Sequence, residues 1–192
     1  MALGVSNTGS LSVMEALIKE FIDACNRESD INRHLPLLRG IASLCNHVTE
    51  FGVRDGQSTR ALLASSALKV RSYDLYLDPN VSNLFIAAQK FSDRDAAYIQ
   101  GNSLLVDIEQ TDLLFIDTDH KYSQLKQELE KHHTKVNKYL AFHDTHTYGT
   151  NCQDGKGLLP AIMEFLRDHR EWVVNYHTTE NNGFTVLEKT VD

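Results

Sequence analysis

Asp117, Asp119 and His120 follow directly on the apolar run Leu113-Leu114-Phe115-Ile116, and His143-Asp144 ends a second apolar run at 139–143. Folding alone does not call for so many polar groups at strand ends. Carboxylates on rigid strand ends suit a hard cation such as Mg²⁺, which takes one or two of them and keeps water. An imidazole titrates near neutral pH and suits a general base. If the two runs are neighbouring strands, Asp117 and Asp144 stand about 4.8 Å apart, one strand spacing. Two carboxylates so placed repel unless a proton or a cation lies between them. Asp117 and Asp144 are therefore candidate metal ligands. His143 is a third ligand or the partner that orients one, since imidazole suits softer metals better. His120 is the candidate base, and Asp117 the second candidate catalytic group. Asp119 fits equally an N-cap of the helix that follows.

A second constellation lies upstream, in His47-Val48-Thr49-Glu50-Phe51-Gly52-Val53-Arg54-Asp55-Gly56-Gln57-Ser58. A short apolar strand passes through Glu-x-Gly-x-x-x-Gly-x-Ser into a helix-forming run. Glycines there let a ligand approach the backbone, and the helix N-terminus offers N–H groups and a positive dipole end. Glu50, Gly52, Gly56 and Ser58 are thus candidate binding residues, although such a turn also serves as plain architecture. Arg54 either meets an anionic ligand group or is simply exposed. Asp74 closes the next strand, where a carboxylate suits both hydroxyls of a ribose. Asn102 and Ser103, after Gly101, either contact a base edge or form an ordinary turn. The dinucleotide fingerprint G-x-G-x-x-G is absent.

The elements that must position these groups alternate. Helices are expected over 12–27 and 31–43, the second with Asp30 as N-cap. Residues 30–34 either close over a ligand or are only the cap and its exposed neighbours. Then come strand 47–52, helix 57–67, strand 69–75, helix 80–91, strand 97–101, strand 112–117, helix 122–137, strand 139–143 and helix 157–169. Strands 171–177 and 183–189 flank the turn signal Asn181-Asn182-Gly183. The fold class is α/β: a Rossmann-like, doubly wound seven-stranded sheet, mostly parallel, with an antiparallel C-terminal hairpin strand and N-terminal helices. Residues 1–45 form a helical cap and 46–192 the ligand-binding domain, in one unit. Ligands of such sheets sit beyond the carboxyl ends of the strands, where the candidate residues cluster. Phe165 and Trp172 are expected in the core, and His132-His133 in solvent. Residues 153–157 form either a lid or a surface loop.

The remaining composition narrows the classes. A chain of 192 residues fits one domain. Its net charge of −7 lacks the basic footprint of a nucleic-acid binder. No apolar run reaches membrane-spanning length, and Met1–Leu11 lacks the basic and apolar regions of a secretory signal. Three widely spaced cysteines read as free thiols of a cytoplasmic protein.

The combination Glu-Phe-Gly-x-x-x-Gly-x-Ser-Thr, Ile-Asp-x-Asp-His-x-Tyr and His-Asp-Thr resembles the class I S-adenosylmethionine (AdoMet) methyltransferases. Within them it is similar to the macrocin/mycinose-type sugar O-methyltransferases and the related cephalosporin-hydroxylase-like proteins. The likeness runs from about Asp30 to Lys189. It implies AdoMet as cofactor, held by Glu50, Gly52, Gly56, Ser58, Asp74, Asn102, Ser103 and Asp117. It also implies Mg²⁺ on Asp117 and Asp144, His120 as base, a small hydroxylated acceptor such as a sugar or polyhydroxylated natural product, and a homodimer. The chain departs from the pattern at His143, where an acidic residue often stands. Alternatives are a metal-independent methyltransferase and a non-catalytic AdoMet- or nucleotide-binding module.

Overall fold

The apolar run before Asp117 is buried because its side chains feed opposite faces of one sheet. Leu113 and Phe115 enter one core, Leu114 and Ile116 the other. A strand covered on both faces by helices needs this unbroken apolar pattern. The computed structural model describes residues 8–90, 94–152 and 155–190. Residues 1–7, within the expected polar N-terminus, and Gln153-Asp154, within the candidate lid, lie outside them.

The chain opens with helix α1 (Thr8–Asn26), a 3-10 turn (Asn32–His34) and α2 (Leu35–Ala42). Alternation then begins: β1 (His47–Phe51), α3 (Gln57–Leu63), β2 (Lys69–Asp74), α4 (Pro79–Gln89), β3 (Asp95–Gln100) and β4 (Thr111–Ile116). There follow α5 (Tyr122–His132), β5 (Val136–His143), α6 (Leu158–Asp168), β6 (Trp172–Thr178) and β7 (Phe184–Lys189). The seven strands lie in the order β3-β2-β1-β4-β5-β7-β6. β1 to β5 pair in parallel, and β7 runs antiparallel to both β5 and β6. The expected hairpin is present, with its second strand inserted between β5 and the edge strand β6. Asn181, Asn182 and Gly183 turn it with φ of 46°, 71° and 92°. Strand order reverses between β1 and β4, so the ligand crevice of such a sheet opens at their carboxyl ends.

The N-terminal helices pack on α3 and α4, joining Leu17, Phe21, Leu35 and Leu38 to one core. Phe165 and Trp172 are buried in the other, as expected. Two expected caps differ. Ser29 Oγ, not Asp30, accepts from the Asn32 N–H at 3.0 Å, because the Asp30 carboxylate is drawn to Arg54. Asp119 does not cap α5, whose N-cap is Lys121; it pairs with the Lys121 ammonium instead. The helix expected to reach 137 stops at His132, since Val136 already pairs with Thr111 in the sheet. Among the described residues, no helix is long and apolar enough to cross a membrane.

Candidate active site

Gly52 takes φ +82° at the end of β1. A Cβ there would lie 1.9 Å from the carbonyl oxygen of Asp117. Only glycine lets β1 turn this close to the end of β4, where the Asp117 N–H donates to Phe51 O at 2.9 Å. Glu50, just before the turn, is completely buried. It accepts hydrogen bonds from Ser58 Oγ at 2.5 Å, Thr59 Oγ1 at 2.8 Å and Ser72 Oγ. Burial pushes its carboxyl up to about 7 against the pull of these hydroxyls. Glu50 therefore ties β1 to β2 and α3 from behind the turn.

A cavity of about 350 Å³ opens in front of the turn. This falls in the range of about 300–1,000 Å³ usual for small-molecule sites. Of the candidate binding residues, Gly52, Ser58, Asp74, Asn102, Ser103 and Asp117 line it. Glu50 and Gly56 stand outside the lining; Gly56, at φ +77°, packs against Val81. Ile31 reaches the cavity, and Asp30 holds Arg54 through two hydrogen bonds of 2.9 Å. Both open readings, for residues 30–34 and for Arg54, thus meet at one ion pair beside the glycine turn. Asp74 is already engaged: Oδ2 accepts from the N–H groups of Val53 (2.7 Å) and Arg54 (3.0 Å), Oδ1 from that of Tyr76 (3.2 Å). A carboxylate has about four acceptor positions, so one remains, on Oδ1.

The far wall carries the carboxylate–imidazole cluster. Ile116 pairs in register with Phe142, so Asp117 comes level with His143 and Asp144 lies one residue beyond. Asp144 leaves the strand at φ +59°, which breaks the side-chain alternation. Its Oδ2 lies 2.7 Å from His120 Nε2 and 3.3 Å from His143 Nδ1. Asp117 lies 3.6 Å from His120 Nε2 and 3.4 Å from His143 Nδ1. The His120 ring stacks on Tyr148 at 4.3 Å. His143 is buried, and its Nε2–H donates to the backbone carbonyls of Asp30 (3.0 Å) and Asn181 (3.3 Å).

Among the described residues, one ligand atom each from Asp117, His120 and Asp144 lies within 4.8 Å of the others, close enough to share a metal ion. Asp144 Oδ1 is buried with no partner, an orphaned acceptor that a cation would satisfy. The residues present therefore fit a divalent metal. His120 stands in this trio where the sequence reading put His143. The reason is geometric: His143 Nε2 is spent on two carbonyls, leaving Nδ1 to brace both carboxylates from behind.

Charge in the cluster is mutually supported. Burial alone would lower both histidines, but the two carboxylates outweigh it, raising His120 to about 9 and His143 to about 10. Burial likewise opposes the ionisation of Asp117 and Asp144, and the imidazoles overcome it, holding both carboxyls below their usual range. A histidine raised on folding stabilises fully below its unfolded pKa, near 6.5, and that contribution fades as pH rises through the folded value. Metal-free protein is therefore expected to lose on the order of a few kcal/mol between about pH 6.5 and 10 relative to His143→Gln. Paired thermal melts across that window check this; a constant gap between the two proteins would contradict it.

Two residues on α5 were not expected. Glu128 is fully buried behind the cavity, accepting from Ser103 Oγ (2.6 Å), Gln124 Nε2 (2.8 Å) and Thr118 Oγ1 (3.0 Å). His132, expected in solvent, is buried: its Nε2–H donates to Ser103 O at 2.7 Å and its ring meets Phe51 at 4.9 Å. Leu125, Glu128, Leu129 and His132 form one i, i+3, i+4, i+7 stripe. That spacing was the available signal, hidden by the charge of the surrounding helix.

No protein-family model and no curated protein matches the chain. Solved structures do. An O-methyltransferase from Bacillus cereus in complex with SAH superposes with a TM-score of 0.61 at 16% identity, covering 93% of this chain and 91% of that one. The fold is that of the class I AdoMet-dependent methyltransferases. The O-methyltransferase TomG from Streptomyces achromogenes, in complex with SAM, gives 0.63 at 13% identity over 98% and 92% of the two chains. The N-methyltransferase NodS from Bradyrhizobium japonicum gives 0.61 at 13% over 94% and 99%. Oxygen and nitrogen acceptors both occur among class I methyltransferase neighbours, so the fold alone does not select the acceptor atom.

Proposed function

We propose that the chain is an AdoMet-dependent methyltransferase that methylates a hydroxyl oxygen of a small molecule, such as a sugar or polyhydroxylated natural product, with the help of a divalent cation. One observation carries this reading: a single cavity runs from the glycine turn, Asp74 and Asn102 to Asp117 and His120. The neighbours of this fold that hold SAM or SAH support the cofactor assignment. In this reading Gly52 admits the methionine part, and the remaining acceptor position on Asp74 takes one ribose hydroxyl.

Asp117, Asp144 and His120 would hold the cation. Two carboxylates suit Mg²⁺ or Mn²⁺, and the imidazole shifts preference toward transition metals. When bound, such a cation lowers the pKa of the acceptor hydroxyl and holds its oxygen. His143, braced on the Asp30 and Asn181 carbonyls, fixes the two carboxylates. His120, on its Tyr148 platform, faces the cavity. Its Nε2 cannot hold the cation and take the hydroxyl proton at once, so the two roles oppose each other.

This opposition favours a second reading, in which no cation takes part. Two imidazolium groups already neutralise two carboxylates. His120 then acts as base with Asp144 behind it, and activity rises with pH toward about 9. Calorimetric titration of S-adenosylhomocysteine into chelator-treated protein is expected to show micromolar binding. Candidate hydroxylated acceptors would then be assayed with AdoMet, with and without Mg²⁺ or Mn²⁺. Absence of S-adenosylhomocysteine binding to folded protein refutes both readings. Activity untouched by chelator leaves only the second.

A further inference from the structure

Glu128 dictates which atoms the inner end of the cavity presents to a ligand. Its carboxylate accepts from three side chains, Ser103, Thr118 and Gln124, and all three line the cavity. Each spends its donors there. The Ser103 and Thr118 hydroxyl protons point at Glu128. The Gln124 amide nitrogen is shared between Glu128 Oε1 and Ser103 Oγ, the latter at 3.1 Å. Rotating that amide by half a turn would set its oxygen 2.8 Å from a carboxylate oxygen, so its orientation is fixed. What these three side chains leave for a ligand is Gln124 Oε1, one lone pair of Ser103 and those of Thr118, all acceptors. Asn102 differs: its Oδ1 accepts from Leu104 N–H at 2.9 Å, which leaves its amide N–H groups to donate.

A wall of acceptors beside one amide donor fits a ring edge carrying an exocyclic amine next to a bare ring nitrogen. That is the edge of a 6-aminopurine. A 6-oxopurine reverses the pattern, with a carbonyl oxygen beside a ring N–H. We infer that Glu128 is a positioning residue which, through Ser103, Thr118 and Gln124, makes the cavity select a 6-aminopurine nucleoside over its 6-oxo counterpart. This inference rests on the proposed AdoMet reading and assigns that site its base preference. The ionised carboxylate is essential to it: burial raises the Glu128 carboxyl, and the three donors that converge on it oppose that rise. A group at 128 that can itself donate would turn a hydroxyl proton toward the cavity and blur the polarity.

The experiment is calorimetric binding of S-adenosylhomocysteine and S-inosylhomocysteine to the chelator-treated full chain. Wild-type protein is expected to favour the adenosyl compound by about tenfold or more, the cost of facing buried acceptors with an acceptor. Glu128→Gln is expected to narrow that ratio by weakening the adenosyl and strengthening the inosyl compound. A purely structural role would weaken both alike. Should Glu128→Gln not fold, Gln124→Leu on the half-buried face of α5 supplies the second arm. It should weaken the adenosyl compound and leave the inosyl compound nearly unchanged. Equal affinities in wild type, or a ratio unmoved by these variants, overturn the inference while the methyltransferase reading stands. Binding of neither compound to folded protein overturns that reading and this inference with it.

Discussion

Asp144→Asn is expected to slow methyl transfer by about 10³-fold while S-adenosylhomocysteine binding stays nearly unchanged. The separation follows from position. Asp144 does not line the cavity, yet its Oδ2 is the closest partner of His120 and a second partner of His143. Asparagine keeps the shape and tolerates the left-handed backbone at φ +59° better than alanine, so strain does not confuse the result. It removes the charge that both readings need. A cation loses a ligand, and a metal-free His120 loses the anion that stabilises its protonated form after proton transfer. Excess Mg²⁺ or Mn²⁺ should recover part of the rate only if a cation takes part. Initial rates with saturating AdoMet, together with the binding isotherm, test this. A variant as fast as wild type would remove the cluster from the chemistry altogether.

Much of this site was legible because strand ends and glycines leave strong local marks. The run Leu113–Ile116 announces a two-faced strand, and Asp117 and His120 then fall at its carboxyl end, where the cavity opens. Gly52 and Asp74 are readable for the same reason. The exchange between His120 and His143 was not. It turns on a register that sets Asp117 level with His143, on a positive φ at Asp144, and on carbonyls of Asp30 and Asn181 contributed by distant segments. No local pattern encodes those. Glu50 was legible only in part: strand-end acidity marks the turn, but only the tertiary arrangement shows that Ser58, Thr59 and Ser72 surround the carboxylate. Glu128 lies between these cases. Its stripe is periodic, but a glutamate in a charged helix reads as solvated until its three donors are seen.

Gly52→Ala should be severely damaging for so small a change. A methyl group there would meet the Asp117 carbonyl oxygen at 1.9 Å, and the oxygen belongs to backbone at a strand end. Neither atom has a rotamer through which to escape. Alanine must also hold φ +82°, which is strained for any side chain. Left-handed strain and forced separation together cost on the order of 3–5 kcal/mol, a large part of a domain's usual margin. Relief would come by moving Asp117 away from β1, opening the seam where the cavity meets the carboxylate cluster. Stability and S-adenosylhomocysteine binding should therefore fall together. Gly40→Ala is the matched control: that glycine lies inside α2, has no neighbour within 4 Å of an added Cβ and carries no positive φ. Alanine there should stabilise by roughly 0.5–1 kcal/mol through helix propensity, with binding untouched. Denaturant titrations and binding isotherms of both variants separate a site-specific requirement from a general intolerance of added methyl groups. A Gly52→Ala protein that melts and binds like wild type would mean that β1 and β4 approach less closely than their backbone contact indicates.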